Sequence, residues 1–219
     1  MTAVPPKSTP TPTPSTPRAT PAIAKAYRST NHEVQGYELL AVRDALTWLS
    51  PDKSPPSVHD LCVRLLGASQ VAQLDATSPP QWYPAPLLLS MLRAIDEKVG
   101  PNGLRRVGRA SFQRAVTAMG RDRYKTARAL FDDLDALYRR TNRGTAIGGW
   151  KVLLASDDEV RLEYTAPHVC IAQEGFLTEA AAALGVPVVV TQRECVRQGA
   201  DACVFSVAHG LDRFSLEKW

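Results

Sequence analysis

The chain has 219 residues, 44% of them hydrophobic and 22% charged, with four cysteines and a formal net charge of +4. That balance excludes a wholly disordered or fibrous protein, and the length suits one domain. No apolar run reaches the roughly 20 residues of a membrane helix, and no charged-then-apolar leader opens the chain, so neither membrane insertion nor secretion is expected. The cysteines Cys62, Cys170, Cys195 and Cys203 then suit a cytoplasmic protein with reduced thiols or a metal site. The first acidic residue is Glu33, and Lys7, Arg18, Lys25 and Arg28 precede it, which leaves 22 basic against 22 acidic residues in the remainder. The net charge therefore belongs to the N-terminal arm, and the body does not read as a nucleic-acid-binding domain.

Residues 1–32 form that arm, dominated at its start by Pro and Thr. Proline removes backbone donors and favours extended polyproline II, so the arm has no core of its own. It is either a solvated tail or a segment that docks on a protein partner. From Glu33 the pattern turns helical, with Leu39, Val42, Leu46 and Leu49 on one stripe. A short helix follows, capped at Ser57 and stopped by Gly67, with Cys62 on its apolar side. The stretch DATSPPQWYP reads as a turn-rich linker. Two further helices are each closed by a glycine, at Gly100 and Gly120. A longer amphipathic helix over 123–140 carries Ala127, Leu130, Phe131, Leu134 and Leu137.

The texture changes at Gly144. Short apolar runs around the acidic turn at Asp157 and Asp158 predict a β-hairpin. An Ala-rich helix ending at Gly185 comes next, then two strands joined by RQGAD. The expectation is one α+β domain over 33–209, with about five helices packed on an antiparallel sheet of ββ-α-ββ order, and a tail over 210–219.

The cysteine spacing is the most specific chemical signal. Zinc takes about four deprotonated ligands in a tetrahedron. A hairpin supplies Cys195 and Cys203 from its two strands, and Cys170 opens the helix that packs over it. The other reading of the same residues is three small buried thiols that simply pack.

The stretch GFLTEAAAALGVPVVVTQRECVRQGADACVFSV resembles the C-terminal signature of the 4-vinyl reductase domain family, in its stand-alone bacterial form. The resemblance rests on Cys170, then Gly175-Phe176, then Cys195, and eight residues on Cys203 followed by Val204-Phe205. It implies the fold shared with TRAPP vesicle-tethering subunits and a relationship to haem–nitric oxide binding proteins. Members with a zinc site place a carboxylate three residues before the second cysteine; here that position is Gln192, with Glu194 beside Cys195 instead. Sensory members hold a ligand between the helices and the sheet, which points to Trp150, with Trp82, Tyr83 and Phe112 as further candidates. The haem relatives imply a histidine where this chain has Tyr138, and a Tyr-x-Ser-x-Arg motif where it has Tyr164-Thr165-Ala166-Pro167-His168. The resemblance therefore implies no cofactor, or zinc, with haem set aside.

Arg105, Arg106, Arg109, Arg114, Arg121, Arg123 and Arg128 cluster on two neighbouring helices. They read as a solvated face paired with nearby acids, or as a basic face for an acidic protein partner. No nucleophile elbow, phosphate loop, zinc-protease helix or dinucleotide fingerprint is present, and the histidines are scattered. The expected function is a non-enzymatic sensory or regulatory module, a homodimer through the apolar helices 85–100 and 123–140, with a small apolar ligand. An adaptor that docks proteins and a tetrapyrrole-handling carrier or enzyme are the alternatives.

Overall fold

The computed structural model describes residues 31–120 and 123–209. The arm's first 30 residues and the tail at 210–219 lie outside them, as does Arg121. Strand β1 (Glu33–Gln35) leads into helix α1 (Gly36–Leu49). Next come α2 (Pro55–Leu66), α3 (Ala68–Asp75), β2 (Trp82–Pro84), α4 (Ala85–Val99) and α5 (Pro101–Met119). Then follow α6 (Ala127–Asp132), α7 (Leu134–Thr141) and the two-residue strand β3 (Asn142–Arg143). The C-terminal part is β4 (Trp150–Ala155), β5 (Glu159–Tyr164), α8 (Cys170–Ala183), β6 (Val188–Glu194) and β7 (Cys203–His209).

The architecture is α+β, with seven α-helices ahead of the ββ-α-ββ unit among the described residues rather than about five, and α8 within that unit. Two differences have local causes. Ser54, not Ser57, caps α2: its Oγ accepts from the Ser57 N–H, with Pro55 and Pro56 filling the first turn where no donor is needed. The long helix expected over 123–140 is two helices, broken at Asp133. Its backbone N–H turns back to Leu130 O, while its carboxylate accepts from the Tyr124 hydroxyl and from Arg123, so the side chain is pulled out of the helical run.

The expected ββ-α-ββ unit is present, as an antiparallel sheet ordered β4-β5-β7-β6. Along β5, Val160, Leu162 and Tyr164 face the core, with Arg161 turned to solvent, the period of two of a half-covered strand. A second small sheet, β2-β1-β3, lies in what reads from sequence as linker and helix. Its strands are two or three residues long, too short to show a periodicity.

Two apolar clusters build the interior. One is made by α1 to α5, and the other joins α6, α7 and the Phe112 side of α5 to the larger sheet and α8. Helices α5 and α8 connect them at a glycine crossing. A Cβ on Gly108 would stand 1.7 Å from Ala172 O, and one on Gly175 would stand 2.1 Å from Arg105 O. Only two bare backbones approach this closely. Helix α4 turns Leu88, Met91, Leu92 and Ile95 into the chain's own core, and α6 and α7 do the same with Leu130, Phe131, Leu134 and Leu137. The apolar faces expected to meet a second copy are thus occupied within the chain. Among the described residues, no helix is long and apolar enough to cross a membrane.

Candidate functional site

A cavity of about 350 Å³ opens where α1, α5, α7, α8 and the larger sheet meet. Ala115, Met119, Leu134, Leu137 and Phe176 give it apolar walls; Trp150 and Tyr164 close the sheet side. These two aromatics are cross-strand partners with ring centroids 4.4 Å apart. The polar groups converge from four places: Glu38 from α1, Ser111 from α5, Tyr138, Arg140, Thr141 and Asn142 from α7 and its C-terminal end, and His168 from the loop between β5 and α8. A mostly apolar hollow with a few directed polar groups is the usual form of a small-molecule site.

The polar wall is wired as one network. Asn142, buried at the end of α7, donates from Nδ2 to Tyr138 O at 3.2 Å and to Thr141 Oγ1 at 3.0 Å. A backbone carbonyl only accepts, which fixes the amide's orientation. Its Oδ1 therefore accepts from both His32 Nε2, at 2.9 Å, and His168 Nε2, at 3.0 Å. Both imidazoles are Nε2–H tautomers, and their rings lie 5.4 Å apart. Burial lowers the pKa of His32 below 6.5, and burial with the neighbouring His32 pulls His168 down to about 3. Both are neutral near pH 7.

Glu38 joins the same network through Thr141. Its carboxylate accepts from the Ser111 hydroxyl at 2.5 Å and the Thr141 hydroxyl at 3.2 Å. Burial raises its pKa, and the two hydroxyls only partly offset that. Tyr138 spends its hydroxyl on Ile147 O at 2.7 Å, and burial together with the Glu38 charge raises its pKa strongly.

Of the candidates read from sequence, Trp150 lines this cavity. Phe112 stands one layer away, edge-on to Phe176 at 5.2 Å, and lines a second hollow with Met119 and Tyr124. Trp82 and Tyr83 are elsewhere: Trp82 lies under the Arg143 guanidinium, and Tyr83 accepts from the Ser78 N–H. Glu38, Ser111, Asn142 and His168 are the functional-site residues that sequence reading missed. Glu38 does interrupt the apolar run of α1, but nothing local marks which face it takes.

The three candidate metal ligands do converge. Cys170, Cys195 and Cys203 are buried, free, and hold their sulfurs within 4.8 Å of one another, with Cys170 Sγ 3.7 Å from Cys195 Sγ. Backbone N–H groups of Arg197 and Gln198 face the Cys195 sulfur, that of Val196 faces Cys203, and the Gln192 side chain reaches Cys170. The hydrogen bond with Cys170 lowers the Cys203 pKa, and the same bond raises that of Cys170. Cys62 sits apart, among α1 to α5.

Four of the clustered arginines pair within the chain: Arg105 with Glu174, Arg114 with Asp44, Arg123 with Asp133 and Arg128 with Asp132.

No family model and no curated protein matches the chain. Solved structures do. An H-NOX protein from S. oneidensis in the Fe(II)NO ligation state aligns with 14% identity and a TM-score of 0.57, over 80% of this chain and 99% of that one. An oxygen-binding H-NOX domain related to soluble guanylate cyclases aligns with 13% identity and a TM-score of 0.56, over 79% and 92%. A structure from a study of haem distortion in the H-NOX family reaches 0.62 at 13% identity, over 80% and 94%. The fold is thus of the H-NOX type. This corrects the 4-vinyl reductase and TRAPP-like resemblance, and with it the adaptor reading, since these structural neighbours are H-NOX proteins. It also corrects the expectation of no cofactor, with haem set aside: the neighbours include an H-NOX protein in an Fe(II)NO ligation state and structures from studies of haem distortion. The short C-terminal signature does not separate these folds, because Cys spacing and a small-residue helix specify a hairpin and its cover rather than the layer beneath.

Proposed function

We propose that this protein is a sensory, regulatory module that holds a small ligand in the cavity between its helical layer and its sheet, and acts through protein contacts rather than by catalysis. The observation that carries it is the cavity itself, where apolar walls meet the hydrogen-bonded Asn142–His168 and Glu38 network, with His32 behind it. A packed core leaves few voids larger than a water molecule. The H-NOX-type fold supports the sensory reading. Signalling would run through a homodimer or a partner, with the arginine face and the N-terminal arm as docking elements.

Haem is the first occupant to test. His168 is the cavity imidazole that would meet an iron: it is neutral, and its other ring nitrogen is already anchored, as ligating histidines usually are. Arg140, exposed at the rim, would face acidic groups of the macrocycle. Tyr138 does not fit as the iron ligand, because its hydroxyl is spent on Ile147 O and burial keeps it protonated. When bound, haem would supply an iron centre for a diatomic gas.

The thiol cluster supports a second, structural element, a zinc ion on Cys170, Cys195 and Cys203 with Gln192 or a solvent molecule completing the tetrahedron. A Zn–S distance of about 2.3 Å sets a tetrahedral S–S edge of about 3.8 Å. The 3.7 Å between Cys170 and Cys195 already matches that edge. The hydrogen bond with Cys170 and the Val196 N–H favour a thiolate at Cys203, whereas burial raises the Cys195 thiol and its two N–H neighbours only partly offset that.

The experiment is a titration of the full chain with haemin and with small aromatic probes, followed by absorbance and calorimetry. Saturation at one equivalent, weakened by Trp150→Ala, supports the ligand-binding reading. Absence of saturable binding by every probe refutes it.

A further inference from the structure

The hydrogen-bonding inventory of the cavity is lopsided. Its inner donors are committed: the Tyr138 hydroxyl to Ile147 O, the Ser111 and Thr141 hydroxyls to Glu38, and the Asn142 amide to Tyr138 O and Thr141. Its acceptors are not. A carboxylate offers about four lone-pair sites, and Glu38 uses two of them. His168, with Nε2 donating to Asn142, keeps an unprotonated Nδ1 that has no partner among the described residues. The Gln35 and Gln173 amides, also on the wall, serve either way.

The charges are lopsided too. Glu38 has no ion-pair partner among the described residues. The one guanidinium on the cavity wall, Arg140, is exposed at the rim, where solvent screens it, and makes no ion pair with Glu38. Both nearby imidazoles are held neutral by burial, so neither balances the carboxylate. Glu38 is half-buried, and a partly desolvated carboxylate without a countercharge carries a cost that a bound cation would offset. The aromatic faces of Trp150 and Tyr164 add a quadrupole that also favours positive charge.

From this juxtaposition we propose that the cavity takes a small ligand with an apolar or aromatic body and a protonated amine, the amine directed to the Glu38 carboxylate with His168 as a second acceptor. The inference rests on reading the cavity as a ligand site, and adds the charge class of what enters. Glu38 is the specificity-determining residue, and the apolar wall from Leu134 to Phe176 receives the body of the ligand.

The test is calorimetric titration of the full chain, near neutral pH, with phenethylamine, hydrocinnamate and haemin, on the wild type and on Glu38→Gln. The amine and the carboxylate share an aromatic body of similar size and differ in charge. The expected result is that phenethylamine binds at least about tenfold more tightly than hydrocinnamate, and that Glu38→Gln removes the preference. If the preference survives in Glu38→Gln, the assignment of Glu38 is overturned. If hydrocinnamate or haemin saturates the cavity and phenethylamine does not, the charge class is overturned while the sensory reading stands. If none of the three binds, both fall. Should Glu38→Gln fail to fold, the wild type carries the test: phenethylamine stays protonated through the acid range, so its affinity is expected to fall as acid neutralises Glu38, and a flat profile overturns the proposal.

Discussion

Acidification tests the His32–Asn142–His168 network directly. In the folded chain His168 holds no second proton until about pH 3, whereas the unfolded chain takes one at about 6.5. Between those values the unfolded state binds more protons, so stability is fully present above pH 6.5 and is lost as pH falls. The slope for one such group is about 1.4 kcal/mol per pH unit, which amounts to about 2.7 kcal/mol by pH 4.5. That is a large part of the total stability of an ordinary domain. His32, also lowered, contributes in the same direction. Glu38 works in the opposite sense, because its raised pKa makes the folded state take up a proton first as pH drops toward 4.5. The measurement is therefore a difference. Urea unfolding of the wild type and of His168→Gln, which keeps a neutral donor for Asn142, is followed from pH 7 to 4.5 at constant ionic strength. The wild type is expected to lose more stability than the variant, by about 1.4 kcal/mol for each unit below pH 6.5. Parallel curves would refute the placement of a neutral, half-buried imidazole at His168.

Gly108→Ala puts a methyl group against the Ala172 carbonyl, backbone that has no rotamer to yield, and is expected to cost at least about 3 kcal/mol in chemical unfolding; a fully folded, equally stable variant would contradict the glycine crossing. Elemental analysis of the purified chain is expected to show about one zinc per chain, lost together with thermal stability in Cys195→Ser. A zinc content near zero in the wild type would return the three cysteines to packed thiols. The protein is expected to run as a dimer in static light scattering, through surfaces other than the buried faces of α4, α6 and α7. Leu153, Leu154 and Val189, exposed on the two outer strands of the larger sheet, are the positions to charge; Leu154→Glu is expected to shift the mass toward monomer.

What was legible in the sequence followed from short-range physics. The ββ-α-ββ order, the helices ended by Gly100 and Gly120, and the meeting of Cys170 with Cys195 and Cys203 all come from local periodicity, punctuation and hairpin geometry. The cavity was not legible, because its polar wall is assembled from residues far apart in the chain. His32 and Asn142 are separated by 110 positions, and Glu38 and Thr141 by 103. Single histidines with no carboxylate at a telling spacing gave no hint that one asparagine orients two of them. Trp150 lines the cavity, and the hairpin start that places it is a local feature. Trp82 and Tyr83 do not line it, because the strand carrying them pairs with β1 and not with the larger sheet. The 4-vinyl reductase resemblance rests on residues of the hairpin and its covering helix alone, whereas the likeness to H-NOX structures extends over about 80% of the chain.

The central claim, a ligand cavity between helices and sheet, is tested most directly by two-dimensional amide NMR of the isotopically labelled full chain during titration with haemin and with phenethylamine. The account predicts saturable shifts or line-broadening that begin at the cavity wall, on Glu38, Ser111, Met119, Tyr138, Asn142, His168 and Phe176, and leave α2 and α3 unmoved. Shifts scattered over the surface, or none at saturating concentrations of either probe, would contradict it.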